Sequence, residues 1–205
     1  MKMFFLRHGE TDGNKEKILQ GRIDNLLNDK GRSQALNARE EIKDIIFDDV
    51  YTSPLRRAVE TAMIASGLEE ESLIKDERIM EISFGDMEGR IVSRDNEKMV
   101  DFFLHPERYQ PVNNGESYDS LLERVKDFLD EMSKKYETNP KANILVVSHG
   151  ALIHGIILYI KKLGVKDFWA ANVANCAITI AEYNNGEYRI IKECDEVDRN
   201  YVQEN

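Results

Sequence analysis

Two histidines in this chain share one kind of setting. His8 follows the apolar run Met3 to Leu6 within Arg7-His8-Gly9-Glu10-Thr11, and His149 follows Ile144 to Val147 within Ser148-His149-Gly150. An isolated histidine beside a glycine is usually structural. Around His8 two features argue otherwise. Arg7, directly after a buried strand, is a long cation where burial is expensive without an anion. Gly9 lets the backbone approach a ligand closely and offer amide N–H groups. Another cation comes from Ser53-Pro54-Leu55-Arg56-Arg57-Ala58. A guanidinium in the first turn of a helix opposes the helix dipole, so a basic pair there needs a separate reason. Arg56 reads as solvated surface. Arg57, beside the small-residue stretch Ala58, Thr61 and Ala62, is expected to turn inward towards an anion. Arginines flanking an imidazole disfavour its protonation and keep a lone pair available near neutral pH. Their planar forks can also hold two phosphate oxygens at once.

The elements that must position these groups follow from periodicity. Met3 to Leu6, Val50 to Thr52 and Asn143 to Val147 read as strands, and Ser72 to Ile79 is weakly strand-like. Ala35, Ala38, Ile42, Ile45 and Ile46 fall on one face of a helix that begins near Asp29. Ser53 as N-cap and Pro54 at the first helical position open the next helix, which Gly67 ends. Further helices are expected over 94–104, from Glu116 or Ser117 through Met132, and over 151–163. Asn184-Asn185-Gly186 between two strand-like runs signals a hairpin. Strands alternating with helices predict an α/β fold. Its form is a three-layer α/β/α sandwich with a mainly parallel central sheet and helices on both faces. Ligands of such sheets gather at the C-terminal strand ends, where His8 and His149 both lie.

Composition narrows the class. The 205 residues carry a formal net charge of −10, with 41% hydrophobic and 32% charged residues. That suits one domain over 1–205 with a polar tail at 195–205. The acidic balance argues against nucleic acid or an anionic membrane as partner, while a local cationic pocket can still take a small anion. No apolar run is long enough for a membrane span and none resembles an export signal, so the cytoplasm is the expected location. Cys176 and Cys194 are far apart and suggest neither a zinc site nor a disulfide framework. No metal site and no cofactor are expected. Monomer and homodimer both stay open.

At this point the chain resembles the histidine phosphatase superfamily, also called phosphoglycerate mutase-like. The resemblance rests on five blocks in order. They are Arg7-His8-Gly9-Glu10-Thr11 with Asn14 and Gln20-Gly21; Ser53-Pro54-Leu55 with Arg57-Ala58 and Thr61-Ala62; Glu81 followed by Phe84-Gly85 and Glu88-Gly89; Asn114-Gly115-Glu116-Ser117; and Val146-Val147-Ser148-His149-Gly150. The resemblance implies roles. His8 is the nucleophile that becomes phosphohistidine, Arg7, Arg57 and His149 bind the phosphoryl group, and Glu81 is the general acid and then base. Asn14, Gln20, Gly21 and Gly150 line the substrate side. Arg22 is expected at the surface and Glu88 is expected to orient an arginine. Asn175 is expected to be structural, near the pocket. His105 reads as a helix-end surface residue. His154, five residues beyond His149 and so about 140° round a helix, is given a structural role.

The implied substrate is a small-molecule phosphate ester. Mutases of the family carry arginine and aromatic or histidine residues directly after the equivalent of Glu81, and longer loops over the pocket. Here those positions are Ile82 and Ser83 and the chain is compact. The pattern is therefore closer to the short phosphatases, including α-ribazole and broad-specificity phosphatases, than to a phosphoglycerate mutase. A catalytically silent phosphate-binding module is the other alternative.

Overall fold

Four consecutive apolar residues, Met3 to Leu6, form a strand buried on both faces, and that property sets the architecture. The computed structural model describes residues 1–193. A six-stranded sheet holds β1 (Lys2–Arg7), β2 (Asp49–Thr52), β3 (Ile74–Lys75), β4 (Asn143–Ser148), β5 (Ile178–Asn184) and β6 (Glu187–Lys192) in the order β3-β2-β4-β1-β5-β6. The first four in that order run parallel, and β5 and β6 add an antiparallel edge. The helices are α1 (Asp12–Lys15), α2 (Asp29–Ile42), α3 (Arg56–Ser66), α4 (Glu97–Leu104), α5 (Tyr118–Lys135) and α6 (Gly150–Lys161).

Alternate strand residues supply two cores. Met3, Phe5, Ile144 and Val146 pack with Leu121, Val125 and Phe128 of α5 and with Leu152, Ile153 and Ile156 of α6. Phe4, Leu6, Leu145 and Val147 pack on the other face with Ala38 and Ile42 of α2 and Ala58, Ala62 and Ala65 of α3. The small residues of α3 let it lie close to the sheet, so its first turn reaches the end of β1. This is the expected three-layer α/β/α sandwich.

Several local expectations need correction. The helix after Ser53-Pro54 begins two residues later, at Arg56. Its N-cap is Leu55 and makes no side-chain cap bond, because the Ser53 hydroxyl is engaged at the site described below. The segment 72–79 forms only the two-residue strand β3. Beyond it the Asp76 carboxylate accepts from the Arg78 N–H (2.8 Å) and turns the chain into a 3-10 turn at 77–79. The helix expected over 94–104 starts at Glu97, capped by Asn96. α2 stops at Ile42, which leaves Ile46 87% exposed rather than on its apolar face. Gly67 does end α3, at φ 74°. The hairpin lies at Asn185 and Gly186, both at positive φ. Cys194 and the polar tail at 195–205 lie outside the described residues.

Candidate active site

The β1–β4 register pairs Arg7 with Ser148, so the next residues, His8 and His149, leave the sheet side by side. Their ring centroids are 5.1 Å apart, and both are buried. The His8 backbone is fixed at both ends: its N–H donates to the Ser148 carbonyl (2.9 Å) and its carbonyl accepts from Asn175 Nδ2 (2.8 Å). Asn175 is thus structural, as expected, and holds a residue that lines the cavity without lining it itself. His8 Nδ1 lies 2.7 Å from the Gly9 carbonyl oxygen. A carbonyl can only accept, so the ring proton sits on Nδ1 and the lone pair on Nε2.

That lone pair faces Arg57, whose Nε lies 3.3 Å from His8 Nε2. Arg57 is 1% exposed and turned inward. Two backbone carbonyls hold its fork, Gly21 on Nη2 and Ile23 on Nη1, each at 2.7 Å. Gly21 therefore acts through its carbonyl. Its φ of +48°, and a Glu88 carboxylate lying where a Cβ would go, explain why glycine is needed there. Glu88 does not orient a guanidinium as expected. It accepts the N–H groups of Arg22 (3.0 Å) and Phe84 (3.1 Å) and fastens the Gly21 loop. Arg22 is exposed, with a long contact to Glu116 at 3.5 Å.

Gly9 has a different reason from the expected one. Its N–H donates to Thr61 Oγ1 (3.0 Å), so it is not offered to a ligand. A Cβ there would run into the Gly31 carbonyl at the start of α2. Asn14 and Gln20 stand behind Thr11. Asn14 Oδ1 accepts the Thr11 N–H (3.1 Å), and Gln20 Oε1 accepts its hydroxyl (2.7 Å).

Arg7 Nη1 donates to the Val173 carbonyl (2.6 Å), while its buried Nε has no hydrogen-bond partner among the described residues. His149 has a similar orphan. Its Nε2 meets Ser53 Oγ at 2.7 Å and its buried Nδ1 meets nothing. Ser53 Oγ also accepts the Leu55 N–H (3.3 Å), and its hydroxyl can donate to His149 Nε2 or accept from it. Buried polar atoms without partners are rare and suit a site that takes an anion; Arg7 lines the cavity described below, while His149 is not among the residues that line it.

Glu81 lies in the loop before Ile82. Its Oε1 accepts the Ile82 N–H (3.0 Å) and its Oε2 the Ala151 N–H at the start of α6 (3.3 Å). A Cβ on Gly150 would sit 3.5 Å from Arg7 Cζ and 3.7 Å from Glu81 Oε2, so Gly150 marks where these two groups meet. Sequence reasoning missed what holds this loop. Arg124 of α5 donates to the Arg78 (2.6 Å) and Met80 (2.7 Å) carbonyls and forms a two-pronged ion pair with Glu116 (2.6 and 3.0 Å). Glu116 in turn accepts the Ser83 N–H (3.2 Å). One nearly buried pair thus pins the chain on both sides of Glu81.

Arg7, His8, Asn14, Gln20, Gly21, Arg57, Glu81 and Gly150 all line one cavity of 530 Å³. His154 lines it too, against expectation. The angular separation assumed that both histidines lie on the helix, whereas His149 is the extended N-cap of α6 (φ −129°, ψ 170°). His105 is the C-cap of α4, as expected. Among the described residues, no group of three or more His, Cys, Asp or Glu side chains is placed to hold a metal ion, and no helix is long and apolar enough to cross a membrane.

Burial first, and the Arg57 and Arg7 charges second, hold the His8 ring well below the ordinary 6.5. Burial and then Arg57 do the same to His149, and burial lowers His154 to about 3. Burial also lowers Arg57, to about 10, which leaves it cationic at neutral pH. The three histidines are therefore neutral in the fold, whereas the unfolded chain protonates them as pH falls through 6.5. Their contribution to stability is complete above that value and is lost progressively below it, down to the depressed folded values. Each removes at most about 1.4 kcal/mol per pH unit. Between pH 6 and 5, urea melts are expected to show a falling unfolding free energy, with His154 alone accounting for about 1 kcal/mol of the loss. His154→Gln should flatten that slope by about one proton. A flat profile over this range contradicts neutral burial.

The family described as "Histidine phosphatase superfamily (branch 1)" matches residues 3–196. The chain is 30% identical to an uncharacterized phosphatase of Bacillus subtilis, PhoE, over 90% of both chains. It is 28% identical to the 2,3-bisphosphoglycerate-dependent phosphoglycerate mutase of Thermoplasma acidophilum, over 88% of this chain and 86% of that one. Among solved structures, a mutant phosphoserine phosphatase of Entamoeba histolytica in complex with phosphoserine superposes with a TM-score of 0.83 at 29% identity, covering 95% of this chain and 96% of that one. The family match takes in all six helices named above, and this chain belongs to branch 1 of the histidine phosphatase superfamily.

Proposed function

We propose that this chain hydrolyses small phosphate monoesters through a covalent phosphohistidine at His8 Nε2. The supporting observation is the tautomer: the Gly9 carbonyl holds the proton on Nδ1, so Nε2 keeps a lone pair, which accepts the Arg57 Nε–H at 3.3 Å, and both residues line the cavity. Arg7, Arg57 and His149 bind the phosphoryl oxygens, and the two guanidiniums neutralise the charge that spreads over them in the transition state. Nε2 attacks phosphorus, the P–O bond to the alcohol breaks, and protonated Glu81 gives its proton to the leaving oxygen. In the second step Glu81 takes a proton from water, the resulting hydroxide oxygen bonds to phosphorus, and the P–N electron pair returns to Nε2. The two guanidiniums supply the positive charge that a metal supplies elsewhere, so no metal or organic cofactor takes part. We infer a cytoplasmic location and a single domain over the described residues, 1–193.

Hydrolysis rather than mutase transfer is favoured by the residues after Glu81. Ile82 is buried, and Ser83 is tied to the chain itself, through its N–H to Glu116 and its hydroxyl to the Asn114 carbonyl (2.8 Å). Neither offers a cation to a substrate carboxylate. The full chain should release phosphate from p-nitrophenyl phosphate at a rate unchanged by EDTA, and should not interconvert 2- and 3-phosphoglycerate. Loss of activity on chelation, restored by metal, or phosphoglycerate interconversion outpacing hydrolysis, contradicts the proposal.

Arg124 is a positioning residue for Glu81 on this reading. Arg124→Gln should lower kcat on alkyl phosphates by about 10- to 100-fold with little change in KM. Aryl phosphates, whose leaving groups need less protonation, should lose less. Equal losses on both would assign Arg124 a purely structural role.

A further inference from the structure

The cavity has two unlike ends. One holds Arg7, His8, Arg57 and Glu81, and the other is walled by Ile18, Phe84, Val92, Phe103 and Trp169. Its volume of 530 Å³ lies within the range of sites that enclose a whole small molecule, so the second end takes the organic part of the substrate. Among the described residues, the charged side chains lining the cavity are Arg7, Arg57 and Glu81. All three belong to the phosphoryl end.

The polar side chains that line the cavity beside Trp169, among them His154 and Asn172, carry no charge at neutral pH. Trp169 Nε1–H donates to the Phe102 carbonyl (2.8 Å) and to the Tyr118 hydroxyl (3.1 Å), so the indole offers the cavity only its ring. That ring is wedged against Phe102, Phe103 and His154, with centroids 5.3, 5.2 and 4.7 Å away. His154 is buried and neutral there. Gln20 Oε1 accepts from Thr11 and from Asn25. A carboxylate or ammonium brought among these side chains would lose part of its water and meet no opposite charge from the cavity wall, which is unfavourable. A flat apolar group would meet aromatic and branched side chains that favour it.

We propose that the organic half of the substrate is uncharged and apolar, packing against Trp169, Phe103 and Val92. This rests on the phosphatase reading above and adds the substrate class. It separates the chain from relatives named for phosphoserine or phosphoglycerate, whose organic halves are charged.

The test uses the full chain and four primary alkyl phosphates, so that leaving-group chemistry is matched: 2-phenylethyl phosphate, glycerol 3-phosphate, O-phosphoserine and 3-phosphoglycerate. The kcat/KM for 2-phenylethyl phosphate should exceed those for phosphoserine and 3-phosphoglycerate by about 100-fold, with glycerol 3-phosphate between. Val92→Lys, which brings a cation to the apolar end, should narrow the gap to 3-phosphoglycerate by about 10-fold. Phosphoserine or 3-phosphoglycerate matching or surpassing 2-phenylethyl phosphate overturns the inference. p-Nitrophenyl phosphate separates the two failures. If it is hydrolysed while a charged substrate is preferred, only the substrate class is wrong; if it is not hydrolysed, the phosphatase reading falls and this inference with it.

Discussion

His8→Ala is expected to lower turnover of p-nitrophenyl phosphate by about 10⁴-fold or more, because the group that carries the phosphoryl between the two half-reactions is gone. The reasons lie in the surroundings of the ring. Its tautomer is set by the Gly9 carbonyl, its neutrality by burial and by Arg57 and Arg7, and its backbone by Ser148 and Asn175. No other buried imidazole can take its place. His149 is not among the residues that line the cavity, and the His154 ring packs against Trp169. The variant should still fold and bind vanadate or phosphate competitively, since Arg7, Arg57 and His149 remain. Steady-state rates with a parallel thermal melt check both halves. Retained activity in a folded variant removes His8 from the chemistry.

Glu81→Gln should produce the next largest loss, about 10²- to 10⁴-fold, and one that depends on the substrate. With an alkyl phosphate the departing oxygen needs a proton in the transition state, and a glutamine cannot give one. With p-nitrophenyl phosphate the departing phenolate is already a good leaving group, so the first step survives. The second step still needs a base for water, and the phosphoenzyme should then accumulate. The glutamine can keep the carbonyl contact to the Ala151 N–H and the clamp of Arg124 and Glu116 around it, so the change is chemical rather than structural. Pre-steady-state kinetics with both substrate types is the check. Losses independent of the leaving group would take the proton-transfer role away from Glu81.

What the sequence revealed was whatever depends on short spacing. The runs before His8 and His149 are legible as strands because four apolar residues in a row suit a sheet covered on both faces. That both end in histidine places the two rings at one sheet edge once the strands are neighbours. The inward turn of Arg57 was legible against exposed Arg56 from the small residues beside it. What stayed hidden depends on partners far along the chain. Ser53 reads as a helix cap, yet its hydroxyl serves a histidine 96 residues away. Arg124 looks like a solvated charge between Leu121 and Val125, yet it holds carbonyls 44 and 46 residues back. Gly9 reads as an opening for a ligand, yet it is small because α2 presses on it. His154 was placed by helical angle, which fails because His149 precedes the helix. Gly31 and Thr61, which shape and hold the Gly9 turn, carry no local signal of that role.

The most direct measurement is rapid quench of the full chain, wild type and Glu81→Gln, with p-nitrophenyl phosphate under neutral or alkaline conditions, followed by peptide mapping. A single phosphoryl group on the Nε2 of His8 is expected, stable in base, lost in mild acid, and more abundant in the variant. Turnover with no acid-labile adduct in either protein, or an adduct on any residue other than His8, would contradict phosphoryl transfer through this imidazole.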